Sequence, residues 1–196
     1  SLTNEQTGEL LEKAAKEVFP DCICERLPVA DGGEGTVDAV IKAAGGERIA
    51  VAVHGPLMEP RGAYYGKPDE RRAVLEMALA SGYALVPQEK RNPLRTTTYG
   101  TGELIKDALD RGFQDISIAI GGSATNDGGM GCMRALGVRF LDERGAELEG
   151  VGADLIRVAH IDISGLDDRV KETKFTVMCD VKNPLCGQNG ATFTFG

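Results

Sequence analysis

Three acids stand in loops rich in glycine or asparagine, each just after an apolar run of strand length. Asp31 opens the run DGGEGT (31–36), Asp127 closes on GGSATN (121–126) and is followed by Gly128 and Gly129, and Asp180 lies three residues before Asn183 and Pro184. In α/β architectures ligands collect where strand C-termini meet loops and helix N-termini. Three loops of one kind therefore point to one shared site, and their residue types suit phosphoryl transfer. Glycine lets the backbone approach phosphate oxygens, helix N-termini offer amide dipoles, and a carboxylate either holds Mg²⁺ or takes the proton of an attacking hydroxyl.

On this reading Gly32, Gly33 and Gly35, and Gly121, Gly122, Gly128 and Gly129, form two cradles. Ser123, Thr125 and Asn126 add neutral donors for an anionic substrate, and Asp31, Asp127 and Asp180 are the candidates for metal ligand and general base. Each signal also has a purely structural reading. A glycine-rich turn serves a tight connection, Asp127 with Asn126 can cap a helix, and Asp180 with Asn183-Pro184 can form a turn. Neither loop is a GxxxxGK[ST] or GxGxxG fingerprint, which argues against a nicotinamide-dependent dehydrogenase. Arg91 and Arg95 flank Asn92-Pro93 and either face an anion or sit in a solvated loop; His54 and His160 read as structural, with no triad or metal partner in view.

The elements that must position these loops follow from the pattern. Thr3 and Gln6 suit a capping box for a helix to about Phe19. Ile23 to Val29 reads as a strand ending at Ala30, and Val37, Val40 and Ile41 as a helix ended by Gly45-Gly46. Short strands follow near 49–53, 62–65 and 73–77, then a polar loop over 88–98, a helix over 101–111 and a buried strand over 116–120. Met130, Met133 and Leu136 mark another helix, 138–141 a strand and 167–172 a short helix. A strand over 175–179 ends at Asp180, and 191–195 alternates like a strand. The fold class is α/β: a doubly wound, Rossmann-like portion over 1–55, then a mixed α/β portion over 56–196.

The 196 residues carry 22 Lys plus Arg against 30 Asp plus Glu, a net charge of −8, and 42% are hydrophobic. That field repels nucleic acid and anionic membrane surfaces. No run approaches the ~18 apolar residues of a membrane span, so a cytoplasmic location is expected. The five cysteines, Cys22, Cys24, Cys132, Cys179 and Cys186, show no CxxC pair and read as reduced thiols, with Cys132 and Cys179 in apolar surroundings.

Four runs carry a family resemblance: PVADGGEGT (28–36), RNPL (91–94) with TYGTGEL (98–104), GGSATNDGG (121–129) and CDVKNPL (179–185). In this order, across essentially the whole chain, they resemble type-1 glycerate kinases. The resemblance implies ATP-dependent phosphorylation of D-glycerate to 2- or 3-phosphoglycerate with Mg²⁺, in a two-domain protein whose doubly wound domain is interrupted by a second α/β domain. Carried over by motif, it implies site roles for Asp31, Gly32, Gly33 and Glu34, for Ser123, Asn126 and Asp127, and for Asp180 and Asn183. Lys182 departs from the family pattern, where a small polar residue is usual. That pattern starts before Ser1 with a strand and a PDSFK-type loop and runs about as long again past Gly196, so the chain alone is expected to lack activity. A non-catalytic module that binds a small hydroxy acid is the rival expectation, and assembly into a homo-oligomer stays open.

Overall fold

The computed structural model describes residues 4–27, 29, 30 and 32–195. Helix α1 (Asn4–Val18) forms where expected, with Glu5 in its first turn and Lys16 in its last, each sign complementing the helix dipole. Helix α2 (Thr36–Ala44) follows, ended by Gly45 at φ 80°. Lys42 reaches Glu5 at 3.0 Å and Arg26 reaches Glu9 and Glu12 at 3.3 and 3.2 Å, exposed pairs of little energetic weight.

The strand expected over 23–29 is absent from the described residues of that segment. Ile23, Leu27 and Val29 are exposed, and a ladder needs a neighbour. No described strand pairs with this segment in either sheet.

The main sheet runs β1 (Glu47–His54), β2 (Pro60–Lys67), β3 (Arg72–Glu76), β4 (Asp115–Ala119) and β7 (Lys174–Met178), in the spatial order β1-β2-β3-β4-β7. β1 and β2 pair antiparallel from Glu47 opposite Lys67 to His54 opposite Pro60. The expected division at residue 55 falls in the turn of this hairpin, so the strands flanking it share one sheet. β3, β4 and β7 are mutually parallel, with Glu76 beside Ala119 and Ala119 beside Met178. Three strand C-termini thus open on one edge.

A short helix α3 (Ala78–Ser81) leaves β3, and α4 (Tyr99–Asp110) crosses one face of the sheet. Leu104, Ile105, Ala108 and Leu109 repeat at helical spacing and pack on Val53, Tyr65, Ala73, Leu75 and Ile116. Truncating one such side chain, Leu104 for example, costs about 2–5 kcal/mol. The Tyr65 hydroxyl donates to Asp107 at 2.9 Å, and burial pushes its pKa well up. On the other face Val37 and Ile41 of α2 lie against Gly66, where even a methyl group would be crowded.

The remainder comprises α5 (Met130–Ala135), the paired short strands β5 (Arg139–Leu141) and β6 (His160–Asp162), α6 (Arg169–Glu172) and α7 (Ala191–Phe195). The alternating run 191–195 is thus a helix and not a strand. Thr194 donates both its amide and its hydroxyl to the Gly190 carbonyl, at 3.1 and 2.9 Å, and no described strand pairs with the segment.

Candidate active site

The first two glycine loops meet at the open edge of the sheet. The Gly121 amide donates to the Gly32 carbonyl at 2.8 Å. A Cβ at Gly121 would stand 2.7 Å from the Gly33 Cα, so only glycine allows this approach. Gly32, at φ 87°, packs on the Met178 carbonyl, where a Cβ would come within 2.9 Å. The end of β7, two residues before Asp180, therefore joins the same cluster. Glu34 lies alongside, its Cγ 3.5 Å from the Cβ position of Gly122. Asp31 lies outside the described residues.

Asp127 is buried, and its carboxylate is fully engaged. Oδ2 accepts from the Thr98 amide (2.8 Å), the Thr98 hydroxyl (2.8 Å) and the Gly131 amide (3.1 Å), while Oδ1 accepts from the Gly129 amide (3.0 Å). The Thr98 hydroxyl in turn accepts from the Cys132 amide at 2.9 Å. This clasp fixes the loop 121–129 to the start of α4, which is the capping reading of Asp127 in an extended form.

Ser123 and Thr125 share a hydrogen bond at 2.7 Å, and the Ser123 hydroxyl also accepts from the Thr125 amide at 3.1 Å. Backbone bonds hold this loop to the segment after α3: the Tyr83 amide donates to the Gly122 carbonyl at 2.8 Å and the Ala124 amide to the Ser81 carbonyl at 2.9 Å. The Asn126 amide oxygen accepts from Thr192 of α7 at 3.3 Å. Asn183 is exposed and donates to the Asn189 carbonyl at 3.0 Å, and Asp180 is exposed. Asn183 therefore braces its own loop, and Asp180 has a solvated carboxylate at the edge.

One acid of this edge escaped the sequence reading. Glu76, the last residue of β3, is buried and accepts from the Gly35 amide at 3.0 Å and the Val37 amide at 3.2 Å. Burial pushes its pKa up and the two amides oppose that. The N-terminus of α2 is thus closed by a side chain of the protein, and the Gly35 amide is already engaged. The signal was present in the run RAVLE (72–76), an acid at the end of an apolar strand run, the same rule that found the other three.

His54 has a structural partner: its Nδ1 lies 2.9 Å from Glu103 Oε1 and its amide donates to Glu103 Oε2 at 2.6 Å. One further expectation is corrected. Cys179 is exposed, whereas Cys132 is half-buried, with its thiol pKa pushed to about 12 by burial and then by the Asp127 charge.

A cavity of about 290 Å³ opens beside the second glycine loop. Tyr83, Val86, Arg91, Asn92, Pro93, Thr96, Ser123, Ala124, Thr125 and Phe195 line it. Thr96 is buried at its base and donates to the Ala124 carbonyl at 2.8 Å. Glycine loops, hydroxyl donors and a guanidinium thus adjoin one another at the strand ends.

The profile of the glycerate kinase family matches residues 1–196. The chain belongs to the glycerate kinase family. It is 53% identical to a glycerate kinase of Bacillus subtilis (strain 168) and 50% identical to a glycerate 2-kinase of Escherichia coli (strain K12). Each alignment covers 100% of this chain and 52% of the relative. A crystal structure from Salmonella typhimurium LT2, described as a glycerate kinase 2, superposes with a TM-score of 0.83 at 48% identity, covering 98% of this chain and 51% of that one. The chain spans about half the length of the curated relatives it matches. Mixed α/β architecture is common to this chain and its glycerate kinase relative.

Proposed function

We propose that the whole protein transfers the γ-phosphoryl group of ATP to a hydroxyl of D-glycerate, and that this chain supplies the loops that position the acceptor. The observation that carries this reading is the meeting of Gly121 with Gly32 at the end of the parallel strands, within a chain of the glycerate kinase family. The name of the E. coli relative supports the 2-hydroxyl as the acceptor.

Glycine backbone and the hydroxyls of Ser123 and Thr125 bind and orient the acid, and Asn126 of the same loop adds its amide group. An aspartate, Asp31 or Asp180, takes the proton from the attacking hydroxyl. Asp127 acts by positioning, because its four hydrogen bonds hold the loop in place. Mg²⁺ typically keeps several waters and takes only one or two carboxylates besides phosphate oxygens. Asp31 and Asp180 have the hard oxygen chemistry for that role, although no group of three or more acidic, His or Cys side chains gathers among the described residues. The ion would neutralise charge on the phosphates. A domain division before Glu47 fits the β1–β2 pairing better than one at residue 55.

No described helix is long and apolar enough to cross a membrane. A coupled assay of ADP release by the whole protein, with D-glycerate, L-glycerate or no acceptor, tests the proposal. Release that depends on D-glycerate supports it, and glycerate binding without release favours a non-catalytic hydroxy-acid binding module instead.

A further inference from the structure

We infer that the cavity beside Ser123 receives the carboxylate of the hydroxy acid, with Arg91 as its counter-charge and the chief determinant of selectivity for an acid over a neutral polyol. The inference rests on the hydroxy-acid reading proposed above. Arg91 is held before any ligand arrives. Its guanidinium carbon stands 3.9 Å from the centre of the Tyr83 ring, Nε donates to the Val86 carbonyl at 3.2 Å and Nη1 to the Tyr83 hydroxyl at 2.9 Å. Nη2 makes no hydrogen bond among the described residues. Arg91 also pairs with no carboxylate among them, unlike Arg48, Arg72, Arg111 and Arg169.

The facing wall offers a matching donor. When Ser123 donates the 2.7 Å bond to Thr125, the Thr125 hydroxyl hydrogen is left to point at a ligand; in the reverse arrangement the Ser123 hydrogen has only the long 3.5 Å contact to the Thr125 carbonyl, which a ligand displaces. A planar guanidinium and a hydroxyl together suit the two oxygens of a carboxylate. At about 290 Å³ the cavity lies at the small end of ligand pockets, a size for an acid of a few carbons and not for a nucleotide. In a chain of net charge −8, a local cation must supply the attraction that the overall field withholds. Ser123, which lines the cavity with Arg91, directly follows Gly121 and Gly122 in the loop that meets Gly32, so the cavity adjoins the place where the two loops meet.

The test is calorimetric titration of the whole protein and its Arg91→Gln and Arg91→Lys variants with D-glycerate, with glycerol as the neutral analogue, and with inorganic phosphate. The expected result is that Arg91→Gln weakens glycerate by about 10- to 100-fold, the scale of one charge-assisted hydrogen bond. Arg91→Lys recovers part of the loss, and glycerol binding is weak throughout. KM for glycerate rises with KM for ATP unchanged. Glycerate binding within twofold of wild type in Arg91→Gln overturns the inference, as does a loss confined to phosphate or ATP. Arg91-dependent glycerate binding without ADP release would sink the kinase reading and leave the carboxylate site standing. Full ADP release by Arg91→Gln at wild-type KM would do the reverse. Because Arg91 is exposed, both variants are expected to fold, with only a small drop in thermal midpoint from the lost Tyr83 and Val86 contacts.

Discussion

Asp127 Oδ2 accepts from both the amide and the hydroxyl of Thr98, each at 2.8 Å, and so ties the second glycine loop to the first turn of α4. Twenty-nine residues separate the two along the chain. A buried carboxylate with four donors and little exposure is built to hold a loop, whereas the proton acceptor in a transfer reaction needs a free oxygen beside its substrate.

That contrast gives paired variants with opposite signatures. Asp127→Asn leaves one oxygen for donors that now meet two, and is expected to lower stability by on the order of 3 kcal/mol in urea denaturation. Asp180→Asn, at an exposed position, should leave the urea midpoint unchanged and lower kcat of the whole protein by at least ~100-fold if Asp180 is the base. Near-full turnover of Asp180→Asn would pass that role to Asp31.

Glu76 predicts a pH dependence. Its folded pKa is raised above the ordinary 4.5, so its contribution is fully present below pH 4.5 and is lost as pH rises through the folded value. Glu76→Gln resembles the protonated acid. It should match wild type below pH 4.5 and gain on it as the pH rises through the raised value, read as the difference in thermal midpoint across pH 4 to 8. Glu76→Ala strands the Gly35 and Val37 amides and should cost about 1–3 kcal/mol at all these values.

The approach of Gly121 to Gly33 predicts that Gly121→Ala forces the two loops apart. A loss of about 1–3 kcal/mol in chemical denaturation is expected, with a matching drop in activity of the whole protein. Gly62→Ala, where a Cβ would meet nothing within 4 Å, is the control and should be nearly neutral.

Thiol chemistry checks the packing of the clasp. With its pKa near 12, Cys132 holds on the order of one thiolate in ten thousand at pH 8. Iodoacetamide followed by peptide mass mapping should label the exposed Cys179 and Cys186 within minutes and spare Cys132 until the chain is unfolded. Rapid labelling of Cys132 in the native state would show that the start of α5 is open.

Much of the fold was legible because local signals agreed with the tertiary result. Helical spacing located α2 and α4, and apolar runs bounded by glycine or proline located β1 to β4 and β7. The failures share one cause. Ile23–Val29 and Ala191–Phe195 have strand composition, but a strand exists only through its neighbours, which composition cannot report. At the site, the glycine loops were legible through their residue types, and their contact through Gly32 and Gly121 was anticipated only as a shared edge. Asp127 looked like the other acids until its donors were known. Glu76 and Arg91 were hard to rank because their meaning lies in partners 41 residues away and 8 residues away, the Gly35 amide and the Tyr83 ring.

The most direct test is phosphorus NMR of the whole protein incubated with ATP, Mg²⁺ and D-glycerate. A phosphomonoester resonance growing in step with ADP, coupled to the proton on C2, is the predicted result. ADP accompanied only by inorganic phosphate, or no change in ATP despite glycerate binding, would contradict transfer to glycerate.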